Sequence, residues 1–128
     1  YYKQYGFNAI SVMPANLYGI NDNFHPDRCH VIPGLINKFY NAKINNEPVV
    51  EAWGDGTPTR EFLYVDDLAD ACLFLMNQYS DKGLVNIGWG TDVTIIELAQ
   101  LIKHIVGFEN KLLWGTIKTV FGGSSTKK

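Results

Sequence analysis

Arg60-Glu61-Phe62-Leu63-Tyr64-Val65-Asp66-Asp67-Leu68-Ala69-Asp70-Ala71-Cys72-Leu73-Phe74-Leu75-Met76 changes its periodicity part-way along. Residues 60–65 read as a strand, rich in aromatic and β-branched side chains. From Asp66 onward the apolar positions Leu68, Ala71, Cys72, Leu75 and Met76 recur at helical spacing and predict a buried stripe. Asp66 reads as the cap of that helix, with Asp66 and Asp67 at its positive end. A strand running straight into a helix is the repeating unit of α/β folds, and the neighbouring sequence repeats it.

Upstream, 9–13 reads as a strand that Pro14 ends. A polar loop over 16–32 follows. Then 31–42 reads as a helix, with Pro33 near its first position and Leu35, Ile36, Phe39 and Tyr40 apolar at helical spacing. Residues 49–53 alternate like a strand, and Gly54-Asp55-Gly56-Thr57-Pro58 is a turn cluster. Downstream, 84–87 reads as a short strand before Gly88-Trp89-Gly90. Thr94-Ile95-Ile96-Glu97 is a capping box opening a helix that stops near Gly107. Residues 111–114 read as one more strand. Strands alternating with helices predict an α/β fold with parallel pairing. Residues 1–6 read as a last helical turn closed by Gly6, and 121–128 as a flexible polar tail. These ends predict a piece of a longer enzyme.

The 128 residues carry a net charge of −2 and 46% hydrophobic residues. That balance leaves no footprint for nucleic acid or for an anionic membrane surface. No apolar run reaches the roughly 20 residues of a bilayer span. Cys29 and Cys72 form no C-x-x-C pair, and the expectation is a reduced, cytoplasmic protein.

The chemistry concentrates in three runs. Asn21-Asp22-Asn23-Phe24-His25-Pro26-Asp27-Arg28-Cys29-His30-Val31-Ile32-Pro33 is dense in titratable and turn-forming residues and leaves the end of a strand, where α/β enzymes keep their sites. A solvated turn held by Asx hydrogen bonds fits the same composition. His30, just before a helix, suits proton transfer beside a carbonyl, and the helix start favours its neutral imidazole. His25 competes for that role. As a metal pair, His25 and His30 lack accompanying ligands, so no metal is expected. Cys29 reads as structural.

The second run, Met13-Pro14-Ala15-Asn16-Leu17-Tyr18-Gly19, puts backbone groups and the Asn16 amide at a strand's carboxyl end. There a nicotinamide or sugar ring could lie against Pro14 to Leu17. In the third, Trp53 to Asp67, Arg60 follows a Gly-rich turn and could clamp a phosphate with two parallel hydrogen bonds. Trp53 could cover a base or sugar face. A surface hairpin with a core Trp is the plainer alternative. Glu61, Asp66 and Asp67 do not read as paired catalytic acids.

Together these runs resemble the GDP-L-fucose synthase family of extended short-chain dehydrogenases, over residue 1 to about Trp114. Arg60-Glu61-Phe62-x-Tyr64-Val65-Asp66-Asp67 is shared widely among enzymes that modify nucleotide sugars. Asn21-Asp22-Asn23-Phe24-His25-Pro26 with His30-Val31-Ile32-Pro33 is more specific. The resemblance implies the carboxyl-terminal part of a Rossmann-type NAD(P)-binding fold plus a smaller sugar-nucleotide domain. On that plan 1–20 are the last part of the nucleotide-binding sheet and 21–65 mostly the substrate-binding region. Residues 66–106 return to the core, and 115–128 are a divergent tail.

It also implies an NADP-dependent conversion of GDP-4-keto-6-deoxy-D-mannose to GDP-L-fucose. His30 is then the acid of epimerisation and lies near the NADP. Pro14, Ala15, Asn16 and Leu17 line the nicotinamide, and Lys38, Trp53 and Arg60 bind the substrate, Arg60 at the diphosphate. Lys38 stands where the family usually has Arg; it keeps the charge and loses the planar fork. The full-length enzyme is expected to be a homodimer acting on a GDP-sugar. The sequence has no Gly-x-x-Gly-x-x-Gly loop and no Tyr-x-x-x-Lys pair. The family's catalytic Ser and epimerisation Cys are also missing, and Cys29 is not that Cys. Turnover by these residues alone is therefore not expected. A related dehydratase or 4-epimerase, or a non-catalytic interaction module of the same fold, remains an alternative.

Overall fold

The computed structural model describes residues 1–115. Residues 116–128, which carry most of the expected divergent tail, lie outside them. Short helix α1 (Tyr2–Tyr5) ends on Gly6 in the left-handed conformation, φ 64°. Strand β1 is Ser11–Pro14 and β2 is Asn16–Tyr18; α2 is Val31–Ile44 and β3 is Val49–Trp53. Next come β4 (Thr59–Arg60), β5 (Phe62–Tyr64), α3 (Val65–Gln78) and β6 (Leu84–Ile87). The order closes with β7 (Val93–Thr94), α4 (Ile95–Val106) and β8 (Lys111–Gly115). Among the described residues no helix is long and apolar enough to cross a membrane.

The strands associate in pairs. β1 with β6, β2 with β5 and β3 with β8 are parallel, and β4 with β7 is antiparallel. The α/β alternation with parallel pairing therefore holds, with an added antiparallel bridge. Several expectations need correction. Strand β2 lies in what reads as the start of a polar loop. Its middle residue, Leu17, is half-buried opposite Leu63, and Asn16 N–H bonds the Glu61 carbonyl at 3.2 Å. Three residues with one apolar side chain are too short for alternation to register.

Pro14 lies inside β1 rather than beyond it. The next N–H, from Ala15, bonds Ile87 O at 2.8 Å, so the proline's missing donor falls on the side away from β6. The single strand expected over 60–65 is broken at Glu61 into β4 and β5, and Val65 already belongs to α3.

The cap of α3 is Tyr64, with no side-chain cap bond, so Asp66 is not the cap. Asp66 and Asp67 lie in the first turn, where carboxylates favour the helix dipole. The nearby Asp66 charge is the main reason the Tyr64 phenol's pKa is raised. The expected stripe of α3 is only half-buried at Leu68, Ala71, Cys72 and Leu75, and Met76 is exposed.

The buried core lies elsewhere. Leu35, Phe39 and Ala42 of α2 meet Leu98, Ala99 and Ile102 of α4 over Val50 of β3 and Phe108. Phe39 is fully buried, with its ring centroid 5.7 Å from that of Phe108. Local chemistry sets the ends of α4. Thr94 Oγ1 accepts from Glu97 N–H at 3.1 Å, and a Glu97 carboxylate oxygen accepts from Thr94 N–H and O–H at 2.8 Å each. These bonds, the backbone one foremost, hold the Glu97 pKa below the ordinary range. Because the pKa is depressed on folding, this stabilisation is present at neutral pH and is lost as acid protonates the carboxylate. Gly107 closes the helix at φ 76°, and Lys43 Nζ donates to Val106 O at 2.8 Å.

Gly56 connects the turn after β3 to this core. Its φ is +73°, and a Cβ there would strike Ile96 and lie 2.9 Å from the Trp114 ring. Its carbonyl accepts from Ile96 N–H at 3.0 Å. The turn that delivers Arg60 thus packs directly on the start of α4.

Candidate functional site

Asp22, Asn23 and His25 spend their side chains on the shape of loop 21–30. Asp22 Oδ1 accepts from Asn23 N–H at 2.7 Å, and Asn23 Oδ1 accepts from His25 N–H at 3.0 Å. Asn23 Nδ2 donates to Arg28 O, and Asn37 Nδ2 of α2 reaches back to Phe24 O. His25 Nδ1 accepts from Asp27 N–H at 3.2 Å. His25, the rival of His30 for proton chemistry, is thus a turn-forming residue. Cys29 is half-buried, its thiol 3.9 Å from Pro26 O and in contact range of Gly34.

The loop delivers His30 to the N-cap of α2 with extended backbone, φ −73° and ψ 174°. Its side chain makes no cap bond, is exposed, and has no hydrogen-bond partner among the described residues. Pro33 sits in the first helical turn, where a missing N–H costs nothing.

Two clefts meet at this point. One, of about 640 Å³, is lined by Asn16, Leu17, Tyr18, His30 and Arg60 among others. The second, of about 520 Å³, is lined by Cys29, His30, Lys38, Glu51, Trp53 and Trp114 among others. His30 and its neighbour Val31 line both. His30, an exposed residue, therefore stands where the two hollows adjoin.

The other sequence-predicted residues divide between the clefts. Arg60 projects into the first, and its Nη1 donates to Thr59 O at 2.7 Å. No carboxylate among the described residues forms an ion pair with it. Lys38 and Trp53 line the second, with the Lys38 ammonium 4.5 Å from the Trp53 ring centroid and its Nζ donating to Glu51 O at 3.2 Å. The cation thus lies over the aromatic face and leaves the ring 58% exposed. Trp53 is not a core residue.

Asn16 and Leu17 line the first cleft; Pro14 and Ala15 do not. Pro14 ends β1, and Ala15 is half-buried with its N–H committed to Ile87. The Asn16 side chain is committed too, its Nδ2 donating to Glu61 O at 3.0 Å. Glu61, which does not read as a catalytic acid, and Trp114, which reads only as part of a strand, also belong to this region. Glu61 Oε1 accepts from Gly90 N–H at 2.6 Å. The spacing of Glu61 and the Gly88-Trp89-Gly90 run is too long for any local signal.

Comparison with known proteins bears on the family and the fold. The model of the NAD dependent epimerase/dehydratase family matches residues 1–88. GDP-L-fucose synthase 1 of Arabidopsis thaliana is 58% identical over 118 residues, covering 92% of this chain and 36% of that protein. GDP-L-fucose synthase of Escherichia coli (strain K12) is 45% identical over 127 residues, covering 92% of this chain and 40% of that one. A solved GDP-L-fucose synthetase from Naegleria fowleri bound to NADP is 33% identical, with a TM-score of 0.79, covering 91% of this chain and 36% of that chain. The chain thus spans well under half the length of the curated relatives it matches. The resemblance seen in Arg60 to Asp67 and in the loop ending at Pro33 therefore extends across the α/β fold, and this chain belongs to the NAD dependent epimerase/dehydratase family.

Proposed function

We propose that this chain provides the sugar-nucleotide-binding part of an NADP-dependent enzyme that converts GDP-4-keto-6-deoxy-D-mannose to GDP-L-fucose. The observation that carries the reading is the position of His30. It stands between a cleft holding Arg60 and a cleft holding Lys38 and Trp53. The relatives named GDP-L-fucose synthase support the choice of substrate over that of a dehydratase or 4-epimerase.

In this reading Arg60 takes the diphosphate with its planar fork. Trp53, with the Lys38 ammonium over its ring, covers one face of the nucleotide. Lys38 adds positive charge without a second fork. The 4-keto group acidifies the protons on the two neighbouring carbons. A base removes each in turn, and His30, as the acid, returns a proton to the opposite face. The exposure of His30 allows it to recover that proton from water. The full-length enzyme works as a homodimer on this reading.

The residues present fit one end of the cofactor. Asn16 and Leu17 line the same cleft as His30 and suit a nicotinamide, whereas the sequence offers no glycine-rich loop for the pyrophosphate. When bound, NADPH supplies the hydride for the 4-ketone. The proton for that oxygen belongs to a Tyr-x-x-x-Lys pair that the sequence lacks. The 128-residue chain alone is accordingly expected to show no turnover. NADPH oxidation with GDP-4-keto-6-deoxy-D-mannose above the no-protein rate would contradict this.

Arg60 provides the direct test of the site. Arg60→Ala should weaken GDP binding by about tenfold or more, the worth of a charge-assisted pair. Arg60→Lys should recover only part of it, because an ammonium cannot make the bidentate contact. Titration calorimetry with GDP reads both. Equal affinities for all three proteins would remove the diphosphate from this cleft.

A further inference from the structure

Glu61 is charged and adjacent to Arg60, and the two side chains bond different partners. Its groups make three separate connections. The main-chain carbonyl accepts both Asn16 N–H, at 3.2 Å, and Asn16 Nδ2, at 3.0 Å. The carboxylate reaches across to the turn after β6 and accepts from Gly90 N–H at 2.6 Å. Gly88 leaves room for it, since a Cβ on Gly88 would collide with the Glu61 carboxylate. On its other side the same turn leads into β7, where Val93 pairs with Arg60.

Consider what these contacts join. β1–β6 and β2–β5 are separate pairs with separate ladders. The loop from Gly88 connects β6 to β7, and β7 flanks Arg60. At Glu61 the β2 end, the β4–β5 break and the turn after β6 are joined through hydrogen bonds. The carboxylate accepts from a backbone N–H, and among the described residues it forms no ion pair with the neighbouring guanidinium. The Arg60 cation is left to a ligand anion in the cleft.

From this we infer that Glu61 is a positioning residue for sugar-nucleotide binding. It fixes the Gly88–Gly90 turn to the strand junction, and so sets the placement and availability of the Arg60 guanidinium beside Asn16. The inference rests on the reading of this cleft as a GDP-sugar site. It differs from that reading in assigning a role to a residue that touches no ligand.

The test uses the 128-residue chain, GDP as the probe, and two readouts. Titration calorimetry gives GDP affinity, and amide exchange by NMR follows Gly90. Glu61→Ala should speed Gly90 exchange and weaken GDP binding about tenfold, the scale of loss when a binding group is misplaced. Gly88→Ala, which expels the carboxylate while keeping Glu61, should do the same. Glu61→Gln keeps an oxygen that can accept from Gly90 N–H, and should hold affinity within about threefold of the original. Faster Gly90 exchange with unchanged GDP affinity in both Glu61→Ala and Gly88→Ala would overturn the inference. In that case a loss of affinity in Arg60→Ala shows that the site reading itself survives. An unaltered chain that fails to bind GDP overturns the site reading and this inference together.

Discussion

His30→Gln is expected to slow epimerisation by about two orders of magnitude or more, the lower range of what a positioned general acid contributes. Gln matches much of the imidazole's size and can donate a hydrogen bond, but it carries no transferable proton near neutral pH. The fold should tolerate the change, because the His30 side chain is exposed and makes no cap bond to α2. The assay requires an active protein. A chimera joining the amino-terminal part of the Arabidopsis relative to this chain supplies the residues that the sequence lacks. Incubation in deuterated water then follows label entry at C3 and C5 of the keto sugar. His25→Gln serves as the control, since His25 Nδ1 is occupied by the Asp27 N–H. Label entry at the original rate in the His30 variant, or an equal loss in both variants, would reject the assignment.

Phe39→Ala is expected to be the most damaging single change to the fold. The ring is fully buried where α2 meets α4, β3 and Phe108. Truncating such a residue costs about 3–5 kcal/mol, from lost transfer free energy plus the cavity left behind. Small domains hold only about 5–15 kcal/mol in total. The melting temperature should fall by roughly 10–20 °C for a chain of this size. The adjacent Tyr40 is 55% exposed, and Tyr40→Ala should change stability by no more than about 0.5 kcal/mol. Thermal melts followed by circular dichroism compare the two. A similar fall for both would mean that the α2–α4 contact is not the core.

The two experiments separate chemistry from architecture along one helix. His30 caps α2 and faces the clefts; Phe39, further along, faces the core. The first change should remove activity and leave the melt. The second should move the melt, with activity lost only as the folded fraction falls.

Parts of this molecule were legible from its residues because their causes are local. Gly6 and Gly107 end helices in the left-handed conformation that a residue without a Cβ adopts readily. Thr94 and Glu97 cap α4 within one turn. In α2 the spacing marks the buried Leu35 and Phe39 and the half-buried Ile36, while Tyr40 of the same predicted face is exposed. The loop ending at Pro33 and the run from Arg60 to Asp67 were enough to indicate the family. Other features depend on residues far apart in sequence, and the structure alone decided them. β2, β4 and β7 are only two or three residues long and exist because partners pair with them, so no periodicity marks them. The half-exposed stripe of α3 shows that helical spacing gives a direction, while packing decides whether anything covers it. His25 and His30 look alike in sequence; turn geometry ties up the His25 imidazole, and His30 stands where two clefts adjoin. Local free energies act within a turn or two of chain and can be read in order. Strand partners, cleft walls and the contact from Glu61 to Gly90 are made across long sequence separations, and only the folded chain brings them together.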